Sequence, residues 1–163
     1  MTKKSGGFLD SLGDKIEEGL KELVGQEPDE PAGGPPEPVT RRVSLIVHNP
    51  RVPSEGKQRL NKVLGWNEPS KLVKGYIQDL YDTSGGYVTY KVVENITVDR
   101  FPRKADGFVY KADEFVQAWR TRKGFHQPDA VDYDALIDEF QMIDKVNAGT
   151  IDEFWLFAFP YAG

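Results

Sequence analysis

Two kinds of hydrophobic periodicity divide the chain. Residues 8–24 place apolar side chains at steps of three and four, which gathers them on one stripe of an α-helix, and charged residues occupy the opposite face. From residue 41 onward, short apolar runs alternate with stretches of helical periodicity. The pattern predicts an amphipathic helix in front of a folded α/β domain.

Residues 26–40 join these two parts and are rich in proline, glycine and acidic residues. Proline has no amide N–H for helix or sheet pairing, and the segment has almost no apolar side chain to bury, so it is predicted to be an extended linker. We therefore divide the chain into an amphipathic docking helix (1–25), a linker (26–40) and an α/β domain (41–163).

The α/β domain is predicted from apolar runs and from helix-capping residues. The predicted strands are 43–47, 87–93 with a continuation at 96–98 after a bend, and 154–159. The predicted helices are 55–64, 71–83, 113–120 and 132–147, the last with Leu136, Phe140, Ile143 and Val146 on its inner stripe. Strands separated by helices indicate a small three-layer α/β sandwich with a mostly parallel sheet of three or four strands.

The most hydrophobic run, residues 154–159, predicts a central strand covered on both faces. Such a strand seldom ends a chain, because sheets of this type continue outward to an amphipathic edge strand. Three explanations stay open. The chain is a fragment or truncated relative of a longer protein, another subunit covers the flank, or the helices and the linker close it.

Composition excludes several classes of function. The 21 basic and 26 acidic residues are mixed along the chain and give a net charge of -5, which is no electrostatic footprint for nucleic acid. The chain has no cysteine, so disulfides, thiolate metal sites and cysteine nucleophiles are excluded. The amino-terminal segment becomes acidic before a long apolar run develops, and no stretch approaches the roughly 20 apolar residues of a membrane helix, so we expect a cytoplasmic protein.

Candidate pocket residues follow from the predicted fold class. In open α/β sheets, ligands bind outside the carboxyl ends of the strands, at a switch in strand order. His48 and Asn49 follow the first predicted strand and Tyr161 follows the last, so these three residues form the predicted ligand pocket. The alternative is that His48 and Asn49 belong only to a turn that ends the strand.

The sequence contains only weak indications of a metal site, a phosphate-binding site or a catalytic nucleophile. The two histidines, His48 and His126, have no metal-ligand spacing around them, and no phosphate-binding loop or nucleophile elbow occurs. We therefore predict no metal and no cofactor, and the sequence assigns no catalytic residue. Arg100, Arg103 and Lys104 form a small basic cluster around Phe101, which we expect to lie in a solvated loop.

The apolar stripe of residues 8–24 is the strongest indication of function, because a helix on a long linker is not needed to complete a distant core. The predicted partner-binding residues are Phe8, Leu9, Leu12, Ile16, Leu20 and Leu23. Residues 1–27 contain four lysines and six acidic residues, a negative balance that disfavours binding to anionic membranes. A protein partner or a second copy of the chain is the better target, and the competing interpretation is that the helix folds back onto the domain's uncovered flank.

We therefore predict a non-catalytic interaction or assembly protein whose tethered helix docks on a partner protein or shell. The alternative is a small hydrolase-like enzyme, or the N-terminal half of one, with its pocket at the carboxyl ends of the strands.

Six segments of the domain also carry a family resemblance. They are GWNEP (65–69), GYIQDL (75–80), SGGYV (84–88), FPRKADGF (101–108), HQPD (126–129) and IDEFWLF (151–157). On these segments the chain resembles an uncharacterised family of bacterial α/β proteins, whose other members are longer, often secreted, and continue past the position of Tyr161 with a second half. The resemblance implies the α/β domain but no reaction. If the family's catalytic residues lie in that second half, this chain lacks them and is not an enzyme alone.

Overall fold

The computed structural model describes residues 37–162 of the chain. In chain order the elements are β1 (Val39–His48), β2 (Arg51–Val52), β3 (Gln58–Arg59), α1 (Leu60–Val63), α2 (Pro69–Thr83), β4 (Val88–Val98), α3 (Ala112–Thr121), α4 (Tyr133–Glu139), α5 (Met142–Asn147) and β5 (Glu153–Phe157). The strands β4, β1 and β5 form a parallel sheet in that order. The predicted α/β class and the three-stranded parallel sheet are confirmed.

The central strand β1 is apolar because helices cover both of its faces. Leu45 and Val47 pack with Val73 of α2, whereas Ile46 packs with Met142 of α5 on the opposite face. Successive side chains of a strand point to opposite faces, so this continuous apolar run fills the core on both sides of the sheet. The result is a three-layer arrangement of α2, the sheet, and α4 with α5.

A third cluster, the aromatic cap, lies beyond the carboxyl end of the sheet. Its centre is Phe101, whose ring centroid lies 4.6 Å from that of Phe115 and 5.7 Å from that of Tyr110. Trp66 and Trp119 pack at the edge of the same cluster. The cap is built from the connections that follow β1 and β4 and from the residues after β5, and it therefore forms one wall of the space where an α/β fold binds ligands.

The strands differ in extent from the sequence prediction. Strand β1 begins at Val39 rather than at Val43, because its first four residues pair with the start of β4. The bend expected inside β4 is a β-bulge, since the register passes over Val93 and leaves it without an opposite residue on β1.

The predicted helix at 55–64 is wrong over most of its length. Gly56 and Lys57 both adopt left-handed backbone angles and turn the chain into the β2–β3 hairpin, so that α1 is the α-helical part and Glu55 ends a short 3-10 helix (Pro53–Glu55). The hairpin is held against the end of β1, where the Leu60 N–H donates to the Pro50 carbonyl. This contact joins residues ten positions apart, so the helical pattern within 55–64 does not predict it.

The predicted helix at 132–147 is divided into α4 and α5 by Gln141, which has a φ of 54°. Asp132 caps α4 as predicted. The interruption rotates the second half, so Ile143 and Val146 are 58% and 45% exposed and Met142 is buried in their place. The predicted inner stripe is therefore wrong beyond the interruption.

The last strand, β5, is an edge strand, which contradicts its predicted central position. Within the described residues it pairs with β1 alone, and all five of its residues are half-buried. The hydrophobic run correctly predicted that β5 packs on both faces. A local pattern does not specify the order of strands in the sheet.

Candidate functional site

The order of the strands defines a candidate site at the carboxyl end of the sheet. The chain moves from β1 to β4 on one side and then returns to place β5 on the other side of β1. The carboxyl ends of β1 and β5, at His48 and Phe157, therefore flank the point where the strand order reverses. This is the position at which open α/β sheets bind ligands.

An aromatic cavity of about 380 Å³ opens between these strand ends and the start of α2. Its principal walls are Trp66, Pro69, Leu72, Phe157, Phe159 and Pro160. The Trp66 ring is held in place by Phe159, which stacks on it at 4.7 Å, and by Trp119, which meets it edge-on at 4.6 Å. The residues that line this cavity include no lysine, arginine, aspartate or glutamate. The cavity also contains His48, which is neutral at pH 7 because burial lowers its pKa. The cavity therefore suits a neutral, largely apolar group.

A polar cavity of about 450 Å³ lies on the other face, beside α4. Arg100 pairs there with Glu139, and the Arg103 Nη2 lies 2.6 Å from the Asp132 Oδ2. The N–H of Ala135 and the guanidinium of Arg103 lower the pKa of Asp132. These charged side chains neutralise one another in pairs and fasten the loop after β4 to α4.

His48 lies between the two cavities and contributes to the walls of both. It is 3% exposed, and its Nδ1–H donates to the Arg100 carbonyl over 2.9 Å. Burial lowers its pKa, so the ring is neutral at pH 7. The Nδ1 hydrogen bond leaves Nε2 as an acceptor, and within residues 37–162 this buried atom has no hydrogen-bond partner.

The other two predicted pocket residues lie outside both cavity walls. The Asn49 amide donates to Asn61 Oδ1 over 2.9 Å and its oxygen accepts from the Asn61 N–H, which ties the end of β1 to α1. The Tyr161 ring lies 4.4 Å from that of Phe125, on the outside of the aromatic cap. Their contact with a ligand stays a prediction.

The predicted partner-binding residues lie outside the described part of the chain, and they are Phe8, Leu9, Leu12, Ile16, Leu20 and Leu23. The sequence interpretation missed the aromatic walls of the cavity. Phe157 and Phe159 stood at the end of a predicted strand, and Trp66 stood in the turn that follows α1. Aromatic residues at strand ends and adjoining turns were the available signal.

The expected solvated loop is wrong for Phe101 and Lys104, which are buried, whereas Arg100 and Arg103 are about half exposed. Lys104 is fully buried, and its Nζ donates to the Asp129 carboxylate and to the His126 carbonyl, both over 3.0 Å. We call these three residues the Lys104 clamp. The His126 ring stacks on Phe108 at 3.8 Å and its Nε2 lies 2.6 Å from Asp106. The clamp joins two loops, and no group of three or more potential metal ligands occurs within the described residues.

The comparisons with known proteins add no relative. No protein-family model matches the chain, and neither a curated protein nor a solved structure is significantly similar to it. Among residues 37–162, no helix is both long enough and apolar enough to cross a membrane. The fold and the two cavities therefore carry the functional argument.

Proposed function

We propose that the domain binds a small, neutral organic molecule whose aromatic or other apolar ring occupies the aromatic cavity. The observation that carries this proposal is the coincidence of an apolar cavity with the reversal point of the sheet. Its volume of about 380 Å³ falls in the range of small-molecule pockets, which is roughly 300 to 1,000 Å³.

The wall chemistry supports a neutral ligand. Trp66 offers a ring face that is already positioned by its aromatic neighbours, so little side-chain entropy is lost when a ligand stacks on it. The lining contains no lysine, arginine or acidic residue to balance a ligand charge. An ion would lose its hydration without gaining a partner, which is unfavourable by several kcal/mol at order of magnitude.

The polar atoms near the cavity support recognition rather than hydrolysis. The Nε2 atom of His48 is a buried acceptor with no partner among the described residues, and the His48 ring packs on Phe140, on the α4 side of the sheet. Within the described residues, neither His48 nor His126 forms a hydrogen bond with a serine or threonine hydroxyl. We therefore favour a binding domain over the hydrolase-like enzyme.

Ligand-observed NMR with neutral one- and two-ring aromatic fragments tests the proposal. Ala158 is exposed at the rim of the cavity, so Ala158→Trp should fill the cavity without emptying the core. Ala148 is also exposed but lies outside it, and Ala148→Trp is the matched control. We expect Ala158→Trp to weaken fragment binding about tenfold or more and the control to leave it unchanged. Absence of binding, or binding that survives Ala158→Trp, would refute the proposal.

A second proposed function rests on the periodicity of residues 8–24. We propose that this segment docks through its apolar stripe on a partner protein or shell, which would make the chain an interaction or assembly protein. The paired substitution Leu12→Lys and Ile16→Lys should abolish partner recruitment without changing the melting temperature. Glu18→Lys with Glu22→Lys alters the polar face and is the control. A lower melting temperature for the first pair alone would contradict docking, because the stripe would then stabilise the chain's own fold.

A further inference from the structure

A groove of about 540 Å³ runs along the outer side of α2, next to β5. Its walls include Lys71, Leu72, Gly75, Tyr76 and Asp79 of α2, together with Phe157 of β5. The spacing of the five α2 residues places them on one helical face. We call this face, with Phe157, the α2 patch.

The middle of the α2 patch is apolar and accessible. Leu72 and Tyr76 are 43% and 48% exposed, and the Tyr76 ring packs on Trp155 of β5 at 5.1 Å. The patch continues onto an edge strand whose outer side is unpaired within the described residues. Apolar surface that adjoins an unpaired strand edge is typical of a contact with another chain.

Gly75 indicates a close approach by a second backbone. It lies in the interior of α2, where glycine costs about 1 kcal/mol relative to alanine. A Cβ built at this position would meet nothing within 4 Å, so the packing within the described domain does not require glycine here. A neighbouring helix that crosses at Gly75 would explain the glycine, because the absence of a Cβ lets the two backbones approach closely.

The charges of the α2 patch are self-complementary. Lys71 and Asp79 lie four residues before and four residues after Gly75, and neither forms a salt bridge within residues 37–162. A two-fold axis makes each copy present the same patch to the other. If the axis passes close to Gly75, Lys71 of each copy faces Asp79 of the other, and two ion pairs form at the ends of the apolar contact.

We propose that a second copy of this chain packs on the α2 patch, with the two α2 helices antiparallel and crossing at Gly75. The contact covers Leu72 and Tyr76 and pairs Lys71 with Asp79 twice. It is a property separate from ligand binding, although Leu72 and Phe157 also form walls of the aromatic cavity. A second copy would therefore close one side of that cavity.

Sedimentation velocity of the full chain, from low to several hundred micromolar, measures the association. We expect a reversible dimer. Gly75→Arg should weaken it at least about tenfold, because the long side chain separates the helices, and should leave the monomer folded, because arginine favours a helix more than glycine does. Gly75→Ala should also weaken it, but less, because its single methyl group enters the crossing point. Gln78→Arg, at an exposed position of α2 outside the groove, is the matched control and should retain the dimer.

A charge exchange tests the orientation of the two copies. Lys71→Glu should weaken the dimer about tenfold by placing two like-charged pairs at its ends, and Lys71→Glu with Asp79→Lys should restore it. Both substitutions suit the dipole of α2, with an acidic residue in the first turn and a basic one near the last, so folding is preserved. A chain that is monomeric throughout would overturn the proposal. So would a dimer unaffected by Gly75→Arg, or a double variant as weak as Lys71→Glu.

Discussion

Replacing Asp129 is the sharpest test of how the two loops below the aromatic cap are held together. Asp129→Ala removes the carboxylate that neutralises the fully buried Lys104 ammonium. Among residues 37–162 it leaves the His126 carbonyl as the hydrogen-bond acceptor, with the Tyr110 ring 5.3 Å from Nζ. Removing one partner of a buried ion pair costs about 3 to 5 kcal/mol. Because the Asp129 side chain is 32% exposed, water reaches the site, and we expect a loss of about 3 kcal/mol.

Lys104→Met provides the contrast. Methionine removes the charge but keeps much of the aliphatic stem, and the Asp129 carboxylate is left where water solvates it. The remaining loss is the hydrogen bond to the His126 carbonyl, for which we expect about 1 kcal/mol. Substitution of the partly exposed residue should therefore destabilise the domain more than substitution of the fully buried one.

Urea unfolding, followed by tryptophan fluorescence, gives the free energy of unfolding of the wild type, of Asp129→Ala, of Lys104→Met and of the variant that carries both substitutions. The control is Lys111→Met, because Lys111 forms an exposed pair with Glu114 and its loss should change stability by no more than about 0.5 kcal/mol. A larger loss for Lys104→Met than for Asp129→Ala would contradict this expectation. The buried lysine would then stabilise the domain through the packing of its stem rather than through charge pairing.

Two further predictions concern the edges of the sheet and of the core. The Asp152 carboxylate accepts hydrogen bonds from the Arg42 Nη2 and main-chain N–H, each over 2.7 Å, and its pKa falls to about 2. Unfolded aspartate has a pKa of about 3.9, so this stabilisation is present above that pH and is lost as the pH falls toward about 2. The acid-unfolding curve of Asp152→Asn, followed by circular dichroism, should therefore be flatter in that interval than that of the wild type. An unchanged curve would show that the Arg42–Asp152 pair does not contribute to stability. Met142→Ala should cost about 3 kcal/mol in urea unfolding and Ile143→Ala no more than about 0.5 kcal/mol, whereas equal losses would contradict the observed rotation of α5.

The sequence predicted the position of the candidate site, but it did not predict which side chains form its walls. The rule that α/β sheets bind ligands at their carboxyl ends selected His48, which lies between the two cavities. It also selected Asn49, whose side chain instead holds α1 to the end of β1. The rule fixes an edge of the sheet, but side-chain partners depend on which connections fold back over that edge.

The aromatic walls of the cavity likewise depend on contacts between distant residues, which the local sequence pattern does not predict. Trp66 and Phe159 are 93 positions apart in the chain and stack at 4.7 Å, because the β1–β4 connection and the segment after β5 both pack on the aromatic cap. Local periodicity cannot pair residues at that separation. Likewise, a lysine beside two arginines has the composition of a solvated loop, and only the folded chain provides the Asp129 carboxylate that permits its burial.

By itself, the sequence determined the α/β class, the parallel sheet, helix α2 and the Asp132 cap of α4, because these depend on periodicity, capping and β-branched composition over a few neighbouring residues. Only the tertiary structure decided that β5 is an edge strand, that Gln141 interrupts a continuous helical pattern, and that Trp66 and Phe157 enclose a cavity. These features arise from strand order and from contacts between distant residues, whose energies a local pattern does not contain.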